Sequence, residues 1–163
     1  MKYTGFIFIS ALALATASCS SDSVDGDGDL FRRGAFEQTV DGTRMVFVAS
    51  QENDNDVMFT WDRINQNYIS NDITSANKYS GDITVPATVS HDGKQYNVKC
   101  VDDYSFFYCG KLVELHVKAA IPPEMESDFD NAANATLYVP KGSADLYNAN
   151  EKWGQFANII EEQ

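Results

Sequence analysis

The stretch that decides the fold is residues 94–117, which read Lys-Gln-Tyr-Asn-Val-Lys-Cys-Val-Asp-Asp-Tyr-Ser-Phe-Phe-Tyr-Cys-Gly-Lys-Leu-Val-Glu-Leu-His-Val. Apolar and polar residues alternate at both of its ends. The apolar positions are Tyr96, Val98 and Cys100, and then Val113, Leu115 and Val117. Such alternation predicts half-buried strands, because successive side chains of a strand point to opposite faces. The stretch therefore predicts two strands that each bury one face.

Further strands are predicted on both sides of this stretch. Phe36–Val40 and Thr43–Val48 flank an Asp-Gly pair, which supplies the positive φ angles of a tight hairpin turn. Residues 91–94 read His-Asp-Gly-Lys and predict a second turn of this kind. Val57–Trp61 and Leu137–Val139 are shorter strand candidates.

One short helix is predicted near the end of the chain. It runs from Ser143 to Ala149, with Ser143 as its N-cap and Asp145 in the first turn, where a carboxylate interacts favourably with the helix dipole. No long helical pattern is present. The fold class predicted from these elements is mostly β, an α+β protein with short helical turns.

The first 18 residues have the layout of a secretory signal peptide, with Lys2, an apolar run at Phe6–Leu14 and small residues at 15–18. The apolar run is too short to cross a bilayer, which takes about 20 residues. Small residues directly before Cys19 resemble the lipobox of bacterial lipoproteins, in which that Cys is acylated after cleavage. Thr16 stands where the motif prefers Leu. Plain secretion and a short membrane anchor are the alternatives.

Residues 19–30 are expected to form an acidic, flexible tether. They consist mainly of Ser, Gly and Asp and have no apolar periodicity. Three Asp residues at alternate positions have the spacing of a calcium loop, but the Gly and the Glu that complete such a loop are missing. Acidic residues after a lipidated Cys also resemble a surface-export signal of some Gram-negative lipoproteins. This resemblance implies export, an outer-membrane anchor and an outward-facing domain.

The charge of the chain argues against two classes of partner, and its length allows one hydrophobic core. The formal net charge is −12, which argues against nucleic acid and against electrostatic docking on anionic lipid. Cleavage before Cys19 leaves 145 residues (163 − 18), enough to bury roughly two thirds of the unfolded surface around one core. The remaining cysteines, Cys100 and Cys109, can form a disulfide in an oxidising compartment or serve as small core residues. Both alternatives stay open.

Residues 79–160 contain several short motifs in a fixed order. They are Gly81–Pro86 with Val89, Asp92-Gly93-Lys94, Tyr96-Asn97-Val98, Val101–Cys109 with Leu112, Pro122-Pro123, Asp128-Phe129, Leu137–Gly142 and Trp153–Ile160. This order resembles leucine-rich repeat proteins of the BspA type, in which similar motifs form a lead-in, a repeat core and an ending. Asp102 and Ser105 depart from the Gly and Ala of the family's repeat core. Residues 30–78 match the family only in general style.

The resemblance implies a short solenoid in which each repeat adds one strand and one turn. Its core positions are Val101, Phe106, Cys109, Leu112, Leu115 and Val117, and Trp153, Phe156 and Ile159 belong to a small helical cap. Only one full repeat is visible, whereas repeat arrays need three or more. The N-terminal β region, residues 31–78, is therefore expected to complete the core of the repeat-like domain, residues 79–163. Residues 31–163 would then be one folded unit.

No catalytic constellation is visible in the sequence. The only histidines, His91 and His116, fall in a predicted turn and on the polar face of a strand. Nothing marks a nucleophile, a base and an orienting group as partners. The His and Cys spacing fits no usual zinc site, and no phosphate loop or dinucleotide fingerprint is present. We expect neither an enzyme nor a cofactor or metal.

The function implied by the resemblance is adhesion or protein–protein interaction by a membrane-anchored surface lipoprotein. Candidate partner contacts are Tyr104, Phe107 and Tyr108, because exposed aromatic rings stack on sugars or anchor proteins; packing inside the core is the alternative. The second function considered is a carbohydrate-binding accessory lipoprotein, and a hydrolase is the least expected. Exposed coplanar aromatic rings would favour a glycan, and a flat apolar patch a protein.

Overall fold

The structure is a computed structural model that describes residues 35–50, 53–60, 79–102, 105–106, 109–125 and 128–163. The described residues form two β-sheets and one short α-helix, so the prediction of a mostly β protein is confirmed. The elements are β1 (Ala35–Val40), β2 (Thr43–Ala49), β3 (Asp56–Thr60), β4 (Gly81–Val85), β5 (Thr88–His91), β6 (Lys94–Val101), β7 (Leu112–Val117), β8 (Thr136–Val139), α1 (Ala144–Ala149) and β9 (Asn158–Glu161).

Sheet A has five strands in the order β1-β2-β3-β6-β5. Two of its connections are the predicted hairpins. Asp41 and Gly42 have φ angles of 47° and 83°, and Asp92 and Gly93 have 50° and 77°, as tight hairpin turns require. Between the hairpins, β3 and β6 pair in parallel.

Sheet A curls until its two edge strands touch through their side chains. The ring of Phe36 on β1 stacks on His91 at the end of β5, with centroids 4.2 Å apart and an interplanar angle of 3°. Phe36 also contacts Tyr96 and Phe47. The curl buries Phe36, which is 5% exposed although it lies on an edge strand.

Sheet B has four parallel strands in the order β4-β7-β8-β9, which is also their order in the chain. Its inward side chains stand in register from strand to strand: Ile83 beside Leu115, Leu115 beside Leu137, and Leu137 beside Ile159. The last two steps are both 22 residues long (137 − 115 and 159 − 137). The chain thus returns at a fixed interval to add the next strand.

Three turns that share one backbone hydrogen bond precede β7, β8 and β9. In each, an aromatic residue accepts a bond from the backbone N–H three residues later: Phe106 from Cys109 at 3.1 Å, Phe129 from Ala132 at 3.0 Å, and Trp153 from Phe156 at 3.4 Å. The first two turns repeat the pattern at once, Leu112 to Cys109 and Ala135 to Ala132. The sequence singles out only the first of these turns, within Val101–Cys109.

Buried residues of both sheets form a single core cluster. An aromatic string runs through it, from Phe47 to Phe59, Phe106, Phe129 and Trp153, with centroid separations of 5.8, 5.7, 5.6 and 4.8 Å. The predicted core residues Val101, Phe106, Cys109, Leu112, Leu115 and Val117 are all buried. Trp153 and Phe156 are buried as well, and Ile159 packs against the cluster.

One sequence expectation within the strands is wrong, and one alternative that the sequence left open is excluded. Val113 was expected on the face of Leu115, but it is 60% exposed. The register between β4 and β7 shifts by one residue there, which lets Leu112 and Leu115 both face the core. Cys109 is a buried thiol whose Sγ donates to the Ser105 carbonyl oxygen at 3.8 Å, so no disulfide joins it to Cys100.

The C-terminal end also differs from a purely helical cap. Helix α1 starts after Ser143 as predicted, but the Ser143 hydroxyl donates to the Pro140 carbonyl oxygen and does not cap the helix. Glu161 accepts a bond from the backbone N–H of Ala144 at 3.1 Å instead. The residues around it form β9, so the end of the chain contributes a fourth strand to sheet B.

Candidate functional site

The outward side chains of sheet B form the most regular surface of the described residues. Parallel sheets usually carry apolar side chains on both faces, because helices cover both. Here the outward positions are mostly polar, and none of them is buried. They stand in two rows across the strands, Asp82-Glu114-Thr136-Asn158 and Thr84-His116-Tyr138-Ile160. We call these eight residues the outer face of sheet B.

His116 lies at the centre of a polar network on this face. Its Nδ1 is 2.6 Å from a carboxylate oxygen of Glu162, and its Nε2 is 3.2 Å from one of Glu114. Its ring stacks on Tyr138 with centroids 4.6 Å apart and an interplanar angle of 8°. Both ring nitrogens of His116 therefore face carboxylate oxygens, which fixes the orientation of the ring on the sheet.

Glu162 fastens the end of the chain to β7. The Lys118 ammonium donates to both of its carboxylate oxygens at 2.6 Å. The hydrogen bond from Lys118, followed by that from His116, lowers the pKa of Glu162 below its ordinary value. Glu162 follows β9, which is two strands away from β7, so this ion pair spans β8.

The other side of the network is negatively charged. The Tyr138 hydroxyl donates to Glu114 at 3.4 Å. The charge of Glu114 is the main cause that raises the pKa of Tyr138, and Asp82 adds to it. Asp82 and Glu114 are register partners on neighbouring strands. Like charges placed opposite each other in a sheet repel, so this corner favours a cation.

Chemically, the face offers fixed hydrogen-bonding groups and charges on a rigid sheet. In the part of the chain that the structure describes, no three His, Cys, Asp or Glu side chains are grouped as a metal site. Nor does any helix among those residues have the length and apolar character needed to cross a membrane. The arrangement is suited to holding a partner by surface contacts.

Only some of the candidate residues predicted from the sequence lie in the part of the chain that the structure describes. Cys19, Tyr104, Phe107 and Tyr108 lie outside the described residues. His91 stacks on Phe36 in sheet A, away from the His116 network. Sequence reasoning treated His116 as an ordinary polar residue. The alternation of apolar and polar residues along β7 does place Glu114, His116 and Lys118 on one face. This pattern was the sequence signal that could have identified the network.

No family model, no curated protein and no solved structure matches the chain.

Proposed function

We propose that the chain is a membrane-anchored surface lipoprotein whose leucine-rich-repeat-like module binds a protein through the outer face of sheet B. The observation that carries the proposal is the four-stranded parallel sheet with a polar, accessible outer face. Such a face, rigid and repeated at regular spacing, is the kind of surface that repeat proteins present to partners.

The repeat assignment is supported by spacing and by packing. Leucine-rich repeats are about 20–29 residues long, and the two steps from Leu115 to Leu137 and to Ile159 are each 22 residues. The aromatic residue of each preceding turn, Phe106, Phe129 or Trp153, is fully buried. Three such turns meet the minimum that a repeat array needs to bury a continuous core.

A protein partner is favoured over a glycan by the kind of side chain that is exposed. Large exposed apolar residues of the described chain are all aliphatic: Val113, Ile121, Leu146 and Ile160. The aromatic ring of the outer face, Tyr138, has one side stacked against His116. Coplanar exposed rings, on which sugars stack, do not occur among the described residues.

The anchor in this proposal is a lipid on Cys19. Each buried CH₂ of a lipid chain contributes about 0.8 kcal/mol, so several chains hold a protein firmly. If residues 19–30 form the tether expected from their composition, 12 residues of that kind would have a root-mean-square reach of about 20 Å. That reach is enough for the sheet to meet a partner away from the outer membrane. Metabolic palmitate labelling of the chain, and its loss in Cys19→Ala, tests the anchor.

Binding is tested with the full chain displayed on bacterial cells and screened against immobilised extracellular proteins and a glycan array. We expect adhesion to at least one protein, and a loss of about tenfold in Tyr138→Ala, as for a central interface residue. Leu146→Ala, which removes an exposed side chain of α1, is the matched control and leaves adhesion unchanged. Adhesion to glycans alone would favour the carbohydrate-binding alternative, and no adhesion to either would contradict the proposal.

A further inference from the structure

The outer face of sheet B carries more negative charge than its own cations neutralise. Glu162 is paired with Lys118 and His116. Glu114 shares His116 with it and accepts from the Tyr138 hydroxyl. Asp82 is exposed and makes no hydrogen bond or ion pair within the described part of the chain. The face therefore has one carboxylate without a partner beside another that is only partly compensated.

The sheet places these two residues side by side. Asp82 and Glu114 are register partners on β4 and β7, and neighbouring strands lie about 4.8 Å apart. Their combined charge also acts on the Tyr138 hydroxyl, whose pKa both of them raise. A cation placed between them would relieve the repulsion and meet two acceptors. A guanidinium suits this geometry, because its planar donors bind two oxygens at once.

An exposed apolar side chain lies next to the acidic corner, and another lies across the face. Val113, directly before Glu114, is 60% exposed, and Ile160, on β9 at the opposite edge of the sheet, is 45% exposed. The long stems of Lys and Arg cover such surfaces while their charged ends reach polar groups. The four strands span about 14 Å, which matches an extended peptide of about four residues.

We propose that the outer face of sheet B binds a polypeptide segment rich in Arg or Lys, which crosses the strands and places one cation between Asp82 and Glu114. This inference rests on the proposed function and adds the chemistry of the partner. The formal net charge of −12 steers such a segment towards the protein, and the rows of the face determine where it binds.

The test is fluorescence anisotropy of the purified full chain with a labelled octapeptide of alternating Arg and Gly. We expect saturable binding, no binding of the matched Glu-Gly octapeptide, and weakening as salt rises. Asp82→Asn and Glu114→Gln should each weaken binding by about fivefold or more. Asp92→Asn removes the same charge from an exposed turn of sheet A and should change binding by less than about twofold. Unchanged melting curves show that the variants remain folded.

Equal weakening by Asp92→Asn and Asp82→Asn would overturn the inference, because it would mean diffuse attraction without a site. Spermine competing as strongly per charge as the peptide would do the same. Failure of this inference can be distinguished from failure of the proposed function. Adhesion that depends on Tyr138 but not on Asp82 or salt would leave the outer face as the binding surface and refute the basic partner.

Discussion

Glu114 links His116, Tyr138 and Asp82 on the outer face of sheet B. It accepts from the Tyr138 hydroxyl, lies 3.2 Å from His116 and stands beside Asp82 in the register. Because its charge is the main cause that raises the pKa of Tyr138, Glu114→Gln should lower that pKa. A titration of ¹³C-labelled tyrosine by NMR follows the phenol directly. Asp92→Asn is the control, and a Tyr138 pKa that is equal in wild type and Glu114→Gln would contradict the geometry.

The ionisation of Glu162 makes the free energy of unfolding depend on pH under acidic conditions. Its pKa in the folded protein lies below its ordinary value of 4.5, so its contribution is present above about pH 4.5 and is lost as pH falls through the folded value. Glu162→Gln should cost about 0.5 kcal/mol at pH 7, as for an accessible ion pair, and less at pH 3. Urea unfolding at both pH values measures this. A cost that is larger at pH 3 would have the wrong sign.

Alternation in the sequence identifies which residues share a face but not which strands meet. It places Glu114 and His116 on one side of β7. It gives no means of seeing that Glu162, 46 positions after His116, reaches the same imidazole. That contact depends on the order of the strands and on two steps of 22 residues, which only the folded chain reveals.

Among the elements, α1 and the turn that follows it pack tightly at Gly154. A Cβ at this position would lie 2.6 Å from the carbonyl oxygen of Asn148, the next-to-last residue of the helix. Gly154→Ala should therefore destabilise the protein by about 1–3 kcal/mol, as overpacking does. Thermal unfolding gives the value, with Glu151→Ala in the same turn as control. A melting temperature equal to that of the control would show that the turn yields without cost.

At the scale of the elements, the positions of strands and turns can largely be predicted from the sequence. Each residue that departs from its prediction does so for a physical reason. The two Asp-Gly pairs determine their hairpins through local backbone preference, which is independent of the rest of the fold. Val113 escapes the core because one extra residue enters β7, and its apolar character gives no sign of that. Ser143 is a good capping residue by type, yet Glu161 from β9 supplies the bond to the helix.

At the scale of the molecule, the aromatic string joins the N-terminal strands to the turns that precede β7, β8 and β9. Phe59 of β3 lies 5.7 Å from Phe106, the aromatic residue of the first turn. Removing residues 36–61 takes away Phe47 and Phe59 and should leave the remainder without a cooperative transition. Phe59→Ala should cost about 3–5 kcal/mol. Calorimetry of the truncated chain decides: a cooperative melt close to that of the full chain would contradict a shared core.

The number of repeated turns could not be read from the sequence, because equivalent positions hold residues of different volume. The residue whose backbone N–H donates in each turn is Cys109, Ala132 or Phe156, and all three are buried. One backbone bond is common to the three turns while the side chains differ in volume. Similarity of residues therefore identifies only the first turn, whereas the backbone bond is found in all three.

Site-specific photo-cross-linking determines whether the outer face of sheet B contacts the partner. A photoreactive amino acid is placed at Asn158, exposed on the outer face, or at Leu146, exposed on α1, in the full chain displayed on cells. We predict that light joins the adhesion partner to the chain from position 158 and not from position 146. Cross-linking from 146 alone, or equally from both positions, would contradict the account.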